Sequence, residues 1–142
     1  MPAETPGYIA DGTIYPCRFV KQSGPNNFRA VQATGISDQP LGISAQGVKY
    51  LPGNYGVTAP YPHAELGDPV WVHGDGTACM VEAGAAFTGG DYLIADANGK
   101  AVPCSLATAG TVQGIGARAL ESATAAGQLK RVLVMLRPYQ HS

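Results

Sequence analysis

Two segments of similar pattern constrain the fold of this chain more than any other feature. Each begins with Gly-Asp, continues through an apolar run, turns at Asp-Gly or Asn-Gly and returns through a second apolar run; they span residues 67–79 and 90–102. Asp-Gly and Asn-Gly between apolar runs favour a type I′ turn, whose two central residues both need positive φ. The pattern therefore predicts two β-hairpins in tandem, which turn at Asp75-Gly76 and Asn98-Gly99.

The rest of the chain also has the pattern of short strands. Residues 12–33 repeat the strand–turn–strand arrangement, and no segment of ten or more residues has the 3.6-residue apolar period of a helix. The 19 glycines and 11 prolines are dispersed singly, as at turns between strands. These features predict one all-β domain, a compact sandwich or barrel of about eight to ten short strands built from tandem hairpins.

The ends of the chain differ from this pattern. We predict an extended N-terminal arm over residues 1–11, a single β domain over residues 12–138 and a C-terminal tail over residues 139–142. The arm is either a frayed terminus or a strap on a neighbouring subunit, anchored in that case by Tyr8 and Ile9. Pro138 is predicted to end the last strand, because proline has no N–H for a strand ladder.

Composition excludes several classes of function. The net charge is −1 and the basic residues are scattered, so no nucleic-acid partner is expected. No apolar stretch approaches the ~20 residues of a membrane helix, and the N-terminus lacks the regions of a signal peptide. Cys17, Cys79 and Cys104 form no Cys-x-x-Cys pair and are interpreted as small buried hydrophobic residues. We expect a protein that forms in a reducing cytoplasm and contacts no membrane.

Several motifs resemble chemical sites without completing them. Residues 114–119 match Gly-x-Gly-x-x-Ala, but the acid that binds the ribose in a dinucleotide fold is missing. Residues 96–99 resemble the start of a calcium loop that lacks its closing bidentate acid. Lys100 follows a hairpin tip rather than occupying it, unlike the lysine of a lipoyl carrier, and His73 is interpreted as an exposed turn residue. We predict no catalytic, cofactor or metal site, although a triad assembled only in space stays open.

Apolar side chains outside the predicted core suggest contact surfaces. The segment 47–66 is rich in tyrosine and proline, so it is predicted to be loop and edge structure whose tyrosines either contact a partner or cap the domain's own core. In the last strand, one face is apolar with an arginine at each end, and such a face is covered by another sheet or another chain. Trp71 is predicted to lie in the core. The candidate interface residues are Tyr8, Ile9, Tyr50, Tyr55, Tyr61, Leu133 and Met135.

The order of the motifs carries a family resemblance. The motifs are Gly12–Lys21, Gln39–Ser44, Gly67–Val72, Gly90–Val102, Gly114–Ala123 and Arg131–Leu136. In this order the chain resembles the small capsid decoration, or cement, proteins of tailed bacteriophages over most of its length. The most specific part is Gly-Asp, an apolar strand and Asp-Ala-Asn-Gly-Lys, followed later by Ala-Leu-Glu-Ser-Ala and a closing apolar strand.

The resemblance implies a non-enzymatic, β-rich protein that needs no cofactor. It implies that the protein binds the major capsid protein on the exterior of the virion after assembly in the host cytoplasm. Such proteins bridge capsomers and stabilise the expanded shell, commonly as dimers or trimers. Two alternatives remain: a virion-displayed receptor- or carbohydrate-binding module, which needs exposed aromatic side chains, and a small hydrolase, which needs a clustered acid, base and nucleophile.

Overall fold

The computed structural model describes residues 7–24, 29–35, 38–44, 67, 69–104 and 112–140. These residues contain ten β-strands: β1 Gly7–Ala10, β2 Phe19–Gln22, β3 Arg29–Gln32, β4 Gly42–Ser44, β5 Pro69–His73, β6 Ala78–Glu82, β7 Tyr92–Ala95, β8 Ala101–Pro103, β9 Val112–Ala119 and β10 Leu129–Gln140. A closed barrel has the order β1-β3-β2-β4-β5, and a five-stranded sheet has the order β6-β10-β9-β7-β8. The predicted all-β class is confirmed.

The barrel is built from the first five strands. Strands β2 and β3 pair as the antiparallel hairpin predicted from residues 12–33, and β1 closes the barrel by pairing parallel to β3 and antiparallel to β5. Small and β-branched side chains fill the interior, among them Ala10, Val20 and Val70. Strand β1 lies inside the segment predicted to be an arm, yet it is part of the barrel, which in the described residues begins at Gly7. The arm stays a prediction for residues 1–6, which lie outside the described residues.

The first of the two predicted tandem hairpins is wrong. Strand β5 pairs with β1 and β4, whereas β6 pairs with β10, so the turn between β5 and β6 carries the chain from the barrel to the second sheet. In this turn Thr77 N donates to Gly74 O at 3.2 Å, and Gly76 has a φ of 89°. The Asp75-Gly76 signal correctly predicts a reversal of the chain, but a turn does not determine which strands pair. Val70 and Val81 are buried in different cores, and this separates their strands.

The second predicted hairpin, over residues 90–102, is confirmed. Strands β7 and β8 pair antiparallel, with Ile94 opposite Val102. Its turn is not type I′, which needs positive φ at both central residues: Gly99 has a φ of 75°, but Asn98 does not have a positive φ. Gly99 N donates to Asp96 O at 3.1 Å, which is the three-residue hairpin loop with one left-handed glycine after the turn.

Strand β10 is the longest and connects the sheet. It pairs with β6 as far as Leu133 and with β9 as far as Gln140. The prediction that Pro138 ends this strand is wrong, since Pro138 lies opposite Gly114 within the ladder. On the β6 side, Val134 still exchanges backbone hydrogen bonds with Gly76 and Thr77. Among the described strands, the ladder at Pro138 is formed with β9 alone, and proline is tolerated at such an edge.

The barrel and the sheet share one core. Phe19, Ala33 and Ile43 from the barrel pack with Leu93 and Val134 from the sheet. Strand β2 is buried on both faces at its start, because Phe19 lies in the shared core and Val20 faces the barrel interior. Among the described residues, no helix is long and apolar enough to cross a membrane.

Candidate functional site

The polar side chains at the β7–β8 turn shape the turn itself. The Asp96 carboxylate accepts hydrogen bonds from Asn98 N at 2.8 Å and Lys100 N at 2.9 Å. Lys100 Nζ lies 3.0 Å from Glu82 Oε2. Within the described ranges, no three His, Cys, Asp or Glu side chains are grouped so as to hold a metal ion. The geometry assigns these residues to turn formation and ion pairing.

The same turn docks on the barrel. Asn98 O accepts hydrogen bonds from Arg18 Nη1 at 2.9 Å and Gln32 Nε2 at 2.8 Å, while Gly99 O accepts one from Phe19 N at 2.8 Å. We call this contact the junction. The β7–β8 hairpin, which the sequence predicts, therefore connects the two sheets.

A carboxylate ties the junction to the second sheet. Glu82 pairs with Arg18 at 3.3 Å as well as with Lys100, and the Arg18 guanidinium lies 5.3 Å from the Tyr15 ring. Sequence reasoning missed Arg18 and Glu82, because 64 positions separate them and no local pattern marks such a pair.

The glycines of the Gly-x-Gly-x-x-Ala motif are needed for packing. A Cβ on Gly116 would lie 2.8 Å from Phe19 Cδ1 and 3.0 Å from Pro40 Cγ, and one on Gly114 would overlap the carbonyl oxygen of Asp38. Strand β9 leads to another strand and not to a helix, so the motif has no nucleotide-binding context. Its glycines let the sheet approach the barrel closely.

The three cysteines are free thiols. Cys17 is buried, and Cys79 is partly buried against the shared core. Burial raises the pKa of Cys17 to about 11 and that of Cys79 to about 12, and it also raises the pKa of Cys104. A thiolate is the reactive form of cysteine, so these protonated thiols behave as apolar side chains at neutral pH.

The described candidate interface residues separate into inward and outward groups. Tyr8 packs against the barrel interior, whereas Ile9 points outward and is 41% exposed. Leu133 and Met135 are half-buried and alternate with the buried Val134. Tyr50, Tyr55 and Tyr61 lie outside the described residues.

Trp71 lies on the outside of the barrel, so the prediction of a core tryptophan is wrong. Its side chain is 55% exposed, while Val70 and Val72 on either side of it face the barrel interior. In the β1–β5 ladder Gly7 lies opposite Trp71 and Ile9 opposite Pro69, which makes Ile9 and Trp71 diagonal neighbours. We call this pair the barrel patch. The Val-Trp-Val alternation was the sequence signal for it.

His73 is not the exposed turn residue that was predicted. It ends β5 opposite Ile43, which belongs to the shared core, and it is half-buried. Burial disfavours the charged imidazolium and lowers the pKa of His73 from its ordinary value of 6.5. The second sheet therefore covers the outer face of β5 near His73 but not at Trp71.

A second surface lies on β6, β9 and β10. Leu133 pairs with Arg118 on β9, and Arg131 pairs with Met80 on β6; directly paired residues share a face. The β9–β10 register shifts between Val134 and Arg137, but Val134 and Leu136 both pack on the shared core, which leaves Met135 on the face of Leu133. We call Met80, Arg118, Arg131, Leu133 and Met135 the sheet face.

The comparison with known families identifies the chain's relatives. The model that describes the phage cement protein family matches residues 27–136. The chain belongs to the phage cement protein family. The resemblance inferred from the motifs is thereby confirmed, and the family is one of structural, capsid-associated components of the phage particle. That membership supports a non-enzymatic role.

A solved structure is similar to this chain along nearly its whole length. The N base of the head fiber gp8.5 of bacteriophage phi29 matches with a TM-score of 0.62 and 19% sequence identity. The match covers 96% of this chain and 98% of that one, and at this identity it shows a shared fold. No curated protein matches the chain.

Proposed function

We propose that this protein binds the outer surface of a tailed-phage capsid and stabilises the expanded shell by bridging capsomers. The observation that carries the proposal is the match of residues 27–136 to the phage cement protein family. A protein that binds only the expanded lattice shifts the equilibrium toward the intact shell with each bound copy. Its partner in this proposal is the major capsid protein, and neither nucleic acid nor membrane is involved.

Bridging requires more than one contact surface. The barrel patch and the sheet face lie on different sheets, and the shared core and the junction hold those sheets together. A homodimer or homotrimer would multiply these contacts and raise the effective concentration at each site. The tyrosines of segment 47–66 remain proposed further contacts.

Binding to emptied shells tests the proposal. Purified protein is added to expanded capsids that lack it and, in parallel, to unexpanded precursor shells. We expect saturable, stoichiometric binding to the expanded shells alone and disruption of the decorated shells at a higher temperature. Absence of binding to expanded shells, or binding with no gain in shell stability, would contradict the proposal.

The exposure of Trp71 also supports a second candidate function, a receptor- or carbohydrate-binding module displayed on the virion. An exposed indole offers a large flat apolar surface with one polar group, which suits contact with a sugar ring. This candidate predicts that Trp71→Ala abolishes binding of the purified protein to host cells or glycans while capsid binding persists. Loss of capsid binding alone would favour the bridging role.

A further inference from the structure

Two cations of the sheet face have no ionic partner among the described residues. The ion pairs of the described residues use other cations: Arg18, Lys21, Arg29, Lys100 and Lys130. Arg118 and Arg131 are both exposed, and no carboxylate among the described residues lies within 4.0 Å of either guanidinium. The nearest acid along the chain, Glu121, pairs with Lys130 at 3.8 Å and accepts a hydrogen bond from the backbone N of Arg131 at 2.8 Å.

These arginines flank an apolar centre. Arg118 lies across the strand pair from Leu133, and Arg131 lies across from Met80 and two residues before Leu133 on the same face. Met80, Leu133 and Met135 are only half-buried by their own chain. Arginine and methionine are both enriched in protein interfaces, and a planar guanidinium can bind a carboxylate through two hydrogen bonds.

We infer that the sheet face docks on a capsid-protein surface that presents carboxylates around an apolar patch. This inference rests on the proposed function. It names the chemistry of the partner at one contact: carboxylates facing Arg118 and Arg131, and apolar side chains facing Leu133 and its neighbours.

Through its described residues, a second copy of this chain is a poorer match for the same face. The described carboxylates are already engaged within their own chain, either in ion pairs or as acceptors from backbone N–H groups. They are Asp11, Asp38, Asp75, Glu82, Asp91, Asp96 and Glu121. A homotypic contact through Asp11, Asp38, Glu82 or Glu121 would have to break an ion pair to neutralise the arginines, whereas a capsid surface with free carboxylates would not.

Salt-dependent binding to capsids tests this inference. The wild-type chain, Arg118→Gln, Arg131→Gln and the double variant are titrated onto emptied expanded capsids at several sodium chloride concentrations. The matched control is Lys21→Gln, which removes an equal charge from β2, the barrel strand that pairs with neither β1 nor β5. We expect each sheet-face substitution to weaken binding about two- to fivefold at low salt, as for exposed ion pairs, and the double variant to lose most of the salt dependence. The control should bind as the wild type does.

The outcomes separate this inference from the proposed function. If the wild type does not bind expanded capsids, both fail. If the wild type binds and the double variant retains its affinity and salt dependence, only the docking of the sheet face is overturned. A double variant that loses self-association in light scattering but keeps capsid affinity would also overturn it. Arg118→Lys with Arg131→Lys should retain the salt dependence, and unchanged circular dichroism verifies the fold of each variant.

Discussion

Along β5, Trp71 and His73 lie on the same face of one strand but in different surroundings. Val70 and Val72 fill the barrel interior, so the residues between and after them point outward. Trp71 is exposed there, whereas the shared core reaches Ile43 opposite His73 and leaves the imidazole half-buried. The strand position of Trp71 predicts a core tryptophan, and the place of His73 at a hairpin tip predicts an exposed histidine. The alternation of the strand, and what covers each end of it, decided the opposite.

The burial of His73 predicts a pH dependence of stability. Because its pKa in the folded protein is lower than the ordinary 6.5, the unfolded chain binds the proton at a higher pH. The contribution of the neutral His73 side chain to stability is fully present above about pH 6.5. The free energy of unfolding decreases as the pH falls from there toward the pKa of His73 in the folded protein. We expect His73→Gln to lose less stability than the wild type between about pH 7.5 and pH 5.5 in urea denaturation. Equal losses in the two proteins would contradict this assignment.

At the scale of elements, the β7–β8 hairpin connects the sheet to the barrel. Its turn offers two backbone carbonyls, those of Asn98 and Gly99, to donors on and beside β2 and β3. Such bonds depend on the position of the backbone and not on the side chains of the turn. A single left-handed glycine therefore controls both the turn and the docking.

Because the β7–β8 turn docks on the barrel, we expect alanine to destabilise the protein more at Gly99 than at Gly76, although both glycines have a left-handed backbone conformation. Gly99 and Gly76 have φ of 75° and 89°, so alanine at either position carries about 1–2 kcal/mol of strain. At Gly99 the new Cβ would also lie 2.8 Å from Gln32 Cγ and 3.1 Å from Phe19 O, whereas nothing lies within 4 Å at Gly76. We expect Gly99→Ala to reduce the free energy of unfolding by at least about 1 kcal/mol more than Gly76→Ala. Similar losses in chemical denaturation would show that the turn does not support the barrel.

The distance between partners along the chain explains which elements were predictable. The hairpins over residues 12–33 and 90–102 join strands that are neighbours in sequence, so alternation and turn residues suffice to predict them. Closure of the barrel brings β1 beside β3 and β5, and no local pattern specifies that pairing. Local signals therefore predict a hairpin at Asp75-Gly76, although β5 and β6 pair with other strands.

The candidate site was predictable only in part, for the same reason. Leu133 and Met135 could be assigned to one face of β10 from alternation, but the arginine opposite Leu133 comes from another strand. The role of both residues in an interface remains a proposal. Arg18 and Glu82 bring the hairpin and the barrel together across 64 positions, and their pairing exists only once both sheets have formed.

At the scale of the whole molecule, the shared core makes the barrel and the sheet dependent on each other. Phe19 and Ile43 belong to barrel strands, yet they are buried against Leu93 and Val134 of the sheet. If the two sheets separated, these side chains would return to water, at a cost of about 1.5–3 kcal/mol for each large one. Neither sheet is expected to unfold while the other persists.

Cooperative unfolding can be tested at the closest contact between the two sheets. We expect a single calorimetric transition, with equal calorimetric and van't Hoff enthalpies, for the full chain. Gly116→Ala should lower the temperature of that single transition and reduce the free energy of unfolding by about 1–3 kcal/mol. The reason is that the new Cβ would press on the buried Phe19 ring and on Pro40. Gly35→Ala is the matched control, since nothing lies within 4 Å of its added Cβ, and it should change little. Two transitions, of which Gly116→Ala moves only one, would show that the sheets unfold separately.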